Sequence, residues 1–357
     1  MTGAVALQER AWALQAEGKL DEAFAACREA LALVEAEDGP GCPDAANMLN
    51  ELAQIERDRQ HYEAALACAL KADDIERALG DQFAGTTAAA IRGATLSLLG
   101  DLCRLRGDYG AAEKHLEQAL ELAVAAFGEG SDEVADARNN LAMFFKYAGR
   151  FARAHQLYEQ SLRTFTASHG PVSMPVSVVL HNIGGVLHAQ GDFAAAEAPG
   201  REAWEISRRL LGEDDPAAML DAAAYASILD GLGRFAESEP IHRRVLTFSE
   251  RAYGPNHYEV AAVLHNLAAV LDSQGRAAEA EQYYLRSIEI KESLLGADSP
   301  DLALTHNNLG RLLHSVGRSR EAVALLEKAL RTMQRQLPEN HPHVAAARRN
   351  LNEALDA

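Results

Sequence analysis

The chain has 357 residues, a formal net charge of −18, 48% hydrophobic residues and only 6% aromatic ones. So acidic a surface repels phosphate backbones and anionic lipid heads, which excludes general nucleic-acid and membrane-surface binding and otherwise serves solubility. The apolar share leans on Ala and Leu, both strong helix formers, so the composition favours an all-α chain.

The first twenty residues carry Glu9, Arg10, Glu17 and Lys19 in an amphipathic pattern. They read as a helix rather than as a signal peptide or anchor. No apolar run reaches the length of a membrane span. Cys27, Cys42, Cys68 and Cys103 form no C-x-x-C pair, and free thiols in a reducing cytoplasm are expected.

From there one unit recurs: helix A, a tight turn, helix B. The turns read Gly18-Lys19-Leu20, Gln60-His61-Tyr62, Gly107-Asp108-Tyr109, Gly149-Arg150-Phe151, Gly191-Asp192-Phe193, Gly233-Arg234-Phe235, Gly275-Arg276-Ala277 and Gly317-Arg318-Ser319. Successive turns lie 42 residues apart, except for a step of 47 between Gln60 and Gly107. That step predicts about one inserted helical turn near residues 80–87. Eight repeats follow, over approximately 4–38, 43–80, 86–128, 132–170, 174–212, 216–254, 258–296 and 300–338. A capping helix over 342–356 closes a single solenoid spanning 1–357.

Two columns of small residues support the register. Seven before each turn stand Ala11, Ala53, Gly100, Ala142, Gly184, Ala226, Ala268 and Gly310. Five after it stand Ala23, Ala65, Ala112, Ala154, Ala196, Ser238, Ala280 and Ala322. Antiparallel helices on a short turn approach closely only where small residues face each other. Glycines such as Gly128, Gly170 and Gly212 end the B helices. Pro216, Pro300 and Pro342 open A helices, where a missing N–H costs nothing. Pro199 and Pro240 fall inside helix B of repeats five and six, where a proline removes a backbone bond at about 3 kcal/mol and a kink is expected. Repeat six is degenerate, with Ala224 and Ser238 off the column consensus. Trp12 and Trp204 are read as core.

The pattern resembles the tetratricopeptide repeat family. His306-x-x-Leu309-Gly310-x-x-Leu313 followed by Ala322-x-x-x-Leu326 fits its signature with the aromatics softened. The 42-residue period, with Asn139-Asn140-Leu141, His181-Asn182-Ile183, His265-Asn266-Leu267 and Asn307-Asn308-Leu309, resembles the kinesin light chain branch. The resemblance implies a right-handed superhelical α-solenoid with the A helices lining a concave groove. It implies groove positions ten, nine, six, three and two before each turn.

On that basis the candidate groove residues are Arg57, Arg104, Asn139, Asn140, Lys146, His181, Asn182, His188, His265, Asn266, Asn307, Asn308 and Arg311. The Asn column nine before the turn, which includes Asn350, supports two readings: it clasps the backbone of a bound peptide, or it bonds the neighbouring helix and sets the superhelix. The column three before the turn runs Arg57, Arg104, Lys146, His188, Asp230, Asp272 and His314. Its three leading cations point to an acidic segment in the N-terminal half of the groove; the other reading is a solvated ring paired with nearby carboxylates. No phosphate loop, H-E-x-x-H, G-x-S-x-G or zinc-type cysteine pair occurs. No enzyme activity, metal or cofactor is therefore expected. The expected function is a protein-interaction scaffold or adaptor for a protein or peptide ligand. A peptide-responsive signalling receptor and an accessory subunit of an enzyme complex stand as alternatives. Oligomeric state is left open between monomer and weak self-association.

Overall fold

A computed structural model describes residues 2–80, 84–336, 339 and 341–357. Among them it has seventeen helices and no strand. The helices alternate as A and B members of hairpins: α1 (Thr2–Ala16) with α2 (Leu20–Asp38), α3 (Pro43–Asp58) with α4 (Tyr62–Leu79), α5 (Thr86–Leu105) with α6 (Tyr109–Phe127), and α7 (Asp132–Tyr147) with α8 (Phe151–His169). They continue with α9 (Met174–Ala189) and α10 (Phe193–Leu211), α11 (Pro216–Gly231) and α12 (Phe235–Tyr253), α13 (Tyr258–Ser273) and α14 (Ala277–Leu295), and α15 (Pro300–Ser315) and α16 (Ser319–Gln336). The last helix is α17 (Pro342–Leu355). Tertiary contacts divide the chain into two compact units, Met1–Val186 and Leu187–Ala357.

The hairpin turn has one chemistry throughout. In repeat three Gly107 N–H donates to the Arg104 carbonyl at 2.9 Å and Asp108 N–H to the Cys103 carbonyl at 2.9 Å. This pair of bonds is a Schellman motif, which satisfies the free carbonyls at a helix C-terminus and needs a left-handed residue. The same two bonds close all eight A helices. Glycine takes the left-handed position seven times; Gln60 takes it in repeat two at φ 63.

Both small-residue columns are buried in every repeat. The reason shows at Gly100, where a Cβ would stand 2.4 Å from Leu116 Cγ, and at Gly310, where it would stand 2.7 Å from Leu326 Cγ. The facing column, nine residues after the turn, is buried too and holds the large side chains Leu116, Tyr158, Tyr284 and Leu326. The 47-residue step appears as a longer helix: α5 has 20 residues where α3 and α7 have 16. Residues 81–83 of the expected insertion lie outside the described residues.

Helices α10 and α12 run without a break across Pro199 and Pro240. Both prolines stand within the first two turns, so each frees one carbonyl close to the helix end. Trp12 corrects the expectation of a core residue: it is 51% exposed. It stands six before the turn, one of the positions that the resemblance gives to the groove. Trp204 is half-buried against Tyr225, with ring centroids 5.7 Å apart.

Candidate functional site on the A helices

Neighbouring A helices touch each other, α3 with α5, α5 with α7, α13 with α15, and α15 with α17. Their shared face carries the predicted residues. Each position three before a turn is the helical residue whose carbonyl accepts from the left-handed N–H, so its side chain projects at a helix C-terminus. A cation is favoured there and an acid disfavoured.

The first two cations of that column are already partnered. Arg57 pairs with Asp58 at 3.0 Å and reaches Asp101 at 3.7 Å. Arg104 pairs with Asp101 at 2.6 Å and stacks on Tyr147, its guanidinium carbon 4.3 Å from the ring centroid. Lys146 has no hydrogen bond or ion pair among the described residues. Burial pushes its pKa down, and its Nζ lies 2.6 Å from where a Cβ of Gly185 would be. The missing side chain at Gly185 makes the space for the ammonium. The acids of the column are partnered as well. Asp230 accepts from the buried His242 at 2.7 Å, and Asp272 binds Arg311. His188 packs edge-on against Phe193 at 5.2 Å, and His181 is half-buried.

The asparagines form rungs between repeats at a spacing of 43 residues. Asn182 Nδ2 donates to Asn139 Oδ1 at 2.9 Å, and Asn350 Nδ2 to Asn307 Oδ1 at 2.9 Å. Asn308 Nδ2 lies 3.3 Å from His265 Nε2. Each rung joins position nine of one repeat to position ten of the repeat before. The ladder is interrupted in repeat three, which has Ser97 and the buried Leu98 at these positions, and in repeat six, which has Ala223 and Ala224. Asn50 turns instead to Thr95 at 2.6 Å. Asn140 and Asn266, which would have met Ser97 and Ala223, make no side-chain bond among the described residues.

His265 belongs to a buried chain of polar groups in the second unit. Its Nδ1 is 3.0 Å from Thr305 Oγ1, which accepts from Lys291 Nζ at 3.1 Å. Lys291 also reaches Asp301 at 3.0 Å. Burial, with the Lys291 charge adding to it, holds the His265 pKa down at about 4. The ring is therefore neutral, and can donate from Nδ1 while accepting from Asn308.

Repeat three also opens a pocket of about 410 Å³ in the first unit. Its wall on α5 is made of Ala89, Ala90, Gly93, Ala94 and Ser97. Its floor reaches Leu116, Ala119 and Phe127 of α6, and Phe144 of α7. Gln54, Arg57, Asp101, Arg104, Glu133, Asp136, Asn140 and Met143 also line it. The repeat columns alone do not reveal this pocket. Its signal was the run of small residues on the extended α5, where neighbouring A helices carry larger side chains.

A second set of polar contacts lies at the B helices. Arg150, Arg234, Arg276 and Arg318, each just after a turn glycine, reach back 37 residues to Glu113, Glu197, Glu239 and Glu281 of the preceding repeat. Where that position is Asp, the carboxylate caps helix B instead: Asp108 accepts from Ala111 N–H at 3.0 Å and Asp192 from Ala195 N–H at 3.1 Å. Glu239 shows the strength of the pairing. Burial works against its charge, yet hydrogen bonds from Arg276 and Arg243 hold its pKa down at about 2.

Among the described residues no group of three His, Cys, Asp or Glu is placed to hold a metal, and no helix is long and apolar enough to cross a membrane.

A family model described as tetratricopeptide repeat matches residues 4–75, 92–167, 217–293 and 260–335, and a second of the same description matches 176–217. The clustered mitochondria protein homolog of Aspergillus clavatus is 26% identical over 188 residues, which is 52% of this chain and 14% of that protein. The chain thus matches a small part of that relative's length. Among solved structures, the repeats of a putative kinesin light chain from Podosopora anserina superpose with a TM-score of 0.51 at 16% identity, over 57% of this chain and 96% of theirs. The quorum sensor NprR from B. thuringiensis, in its apo form, superposes with a TM-score of 0.64 at 13% identity, over 87% of this chain and 82% of its own. At these identities the likeness is one of fold. The repeated hairpins, their Schellman turns and the family matches along the chain together make this protein a member of the tetratricopeptide repeat family.

Proposed function

We propose that this chain is a non-catalytic scaffold, working as a cytoplasmic adaptor, that holds extended segments of a partner protein on the A-helix face of each of its two units. One observation carries the reading. Arginine and glutamate side chains at the B helices are paired with each other across repeats, whereas Asn140 and Lys146 on the A helices of the first unit and Asn266 on those of the second keep their polar groups unspent. A side-chain amide donates and accepts at once, which suits the alternating groups of an extended backbone. Lys146 is the contact for an acidic residue of that segment, because Arg57 and Arg104 already have carboxylate partners. The test is a triple variant, Asn140→Ala with Lys146→Glu and Asn266→Ala, compared with Arg150→Ala at the B helices. A partner captured by the unaltered chain should bind the triple variant at least tenfold more weakly and Arg150→Ala equally well. Unchanged affinity for the triple variant would place the contact elsewhere.

A second reading, a signalling receptor whose shape responds to a peptide, draws on the fold likeness to a quorum sensor and on repeat six, where Ala223 and Ala224 cannot form a rung. Small-angle scattering during peptide titration separates the two: a receptor changes its radius of gyration, an adaptor does not.

A further inference from the structure

We infer that the repeat-three pocket of the first unit is a docking site for one basic side chain, lysine or arginine, of a bound polypeptide segment. The inference rests on the reading that the A-helix face holds such a segment, and it names the anchor.

The shape comes first. The pocket of about 410 Å³ falls within the usual range for ligand cavities. It exists because the first three turns of α5 offer alanine, glycine and serine here (Ala89, Ala90, Gly93, Ala94 and Ser97), with Leu98, Asp101 and Arg104 further along the helix, while Leu116, Phe127 and Phe144 supply most of the floor. A slot with small apolar walls accepts the methylene stem of a long side chain and leaves the charged head at its mouth.

The charge decides which head. Glu133 and Asp136 of α7 line the pocket, and Asp136 has no hydrogen bond or ion pair among the described residues. The crowding groove walls and the like charges of Asp132 and Glu133 push the Asp136 pKa up, a cost that a cation alongside would relieve. The two cations at the rim do not oppose this, since two carboxylates balance them: Arg57 pairs with Asp58 and Arg104 with Asp101. The net charge of −18 steers a basic segment toward the chain at long range.

The amides decide between a polypeptide and a small amine. Gln54 on α3 and Asn140 on α7 both line the pocket, and neither makes a side-chain hydrogen bond among the described residues. Two free amides offer donors and acceptors to a main chain passing over the mouth, which a free amine does not need.

The experiment uses the full chain labelled at alanine and methionine methyl groups. The probes are three capped heptapeptides, alanine except for a central Arg, Leu or Glu, and N-acetyl-arginine amide. The Arg peptide should shift the Ala94 and Met143 methyls and bind about tenfold tighter than the Leu and Glu peptides. Glu133→Gln combined with Asp136→Asn should erase that preference. Gly93→Leu should fill the pocket and abolish binding without unfolding the chain, because a Cβ at Gly93 meets nothing within 4 Å; its melting temperature, measured alongside, should hold or rise. Equal binding of the three peptides, or binding indifferent to Gly93→Leu, overturns the proposal. So does N-acetyl-arginine amide binding as tightly as the heptapeptide, which would mark a small-molecule site. Shifts elsewhere on the A helices without an Arg preference overturn the anchor alone; no shift from any peptide counts against the scaffold reading as well.

Discussion

Gln60 occupies a backbone position that glycine holds in the other seven repeats, and a side chain there costs about 1–2 kcal/mol in the left-handed region. Part of that cost is offset by the greater freedom glycine has in the unfolded chain. Gln60→Gly should therefore raise the stability of the first unit by about 1 kcal/mol, read as a higher denaturation midpoint. The histidines carry a pH dependence of definite sign. Burial holds both His265 and His306 at about 4 in the fold, against 6.5 for a free side chain. Between those values the unfolded chain takes a proton that the folded chain refuses. Stability is therefore full above pH 6.5 and drains as the pH falls toward 4, by about 3 kcal/mol for each ring. His306 stands where repeats one, two, three, five and seven have leucine. His306→Leu should thus leave stability at pH 7 nearly unchanged and remove about half of the loss on going to pH 4.5, as thermal melts at the two values will show.

At the scale of the element, α5 contains a matched pair of glycines. A Cβ at Gly100 would meet Leu116 at its branch carbon, and one at Gly93 would meet open space. Gly100→Ala should cost about 2 kcal/mol through overpacking. Gly93→Ala should gain about 1 kcal/mol through helix propensity alone. Opposite signs from one substitution type on one helix would confirm, by chemical denaturation, which face of α5 is packed and which is open. Hairpins also differ in how they are tied to their neighbours. A turn followed by Arg clamps the preceding repeat, and a turn followed by Asp caps its own B helix. One residue after the glycine decides between the two, because guanidinium reaches across the repeat boundary and a short carboxylate reaches only its own helix N-terminus.

For the whole molecule, α17 covers the last hairpin, with Val344 and Ala347 packed against Ala303, Ala329 and Met333. It also supplies Asn350 to the final rung. A chain ending at Gln336 should melt at a lower temperature and sediment as larger species, since it exposes that apolar patch and leaves Asn307 without its partner. Sedimentation of the two chains at equal concentration checks this.

The sequence by itself determined the helices, their pairing, the turns and the packed columns. These depend on neighbours within about forty residues, and each leaves a periodic mark: a glycine where a backbone must be left-handed, an alanine where two helices cross. It also located the face on which polar groups gather. Which of those groups are spent was decided only by the tertiary structure, because it sets which position of one repeat faces which position of the next and so whether a partner stands there. Asp101 binds both Arg57 and Arg104 yet appears in the sequence as one acid among many. Asn182 and Asn140 occupy the same column, but the first finds Asn139 and the second faces Ser97. The repeat-three pocket likewise needs small residues on α5 set against large ones on α6 and α7. It takes form only when α5, α6 and α7 are brought together.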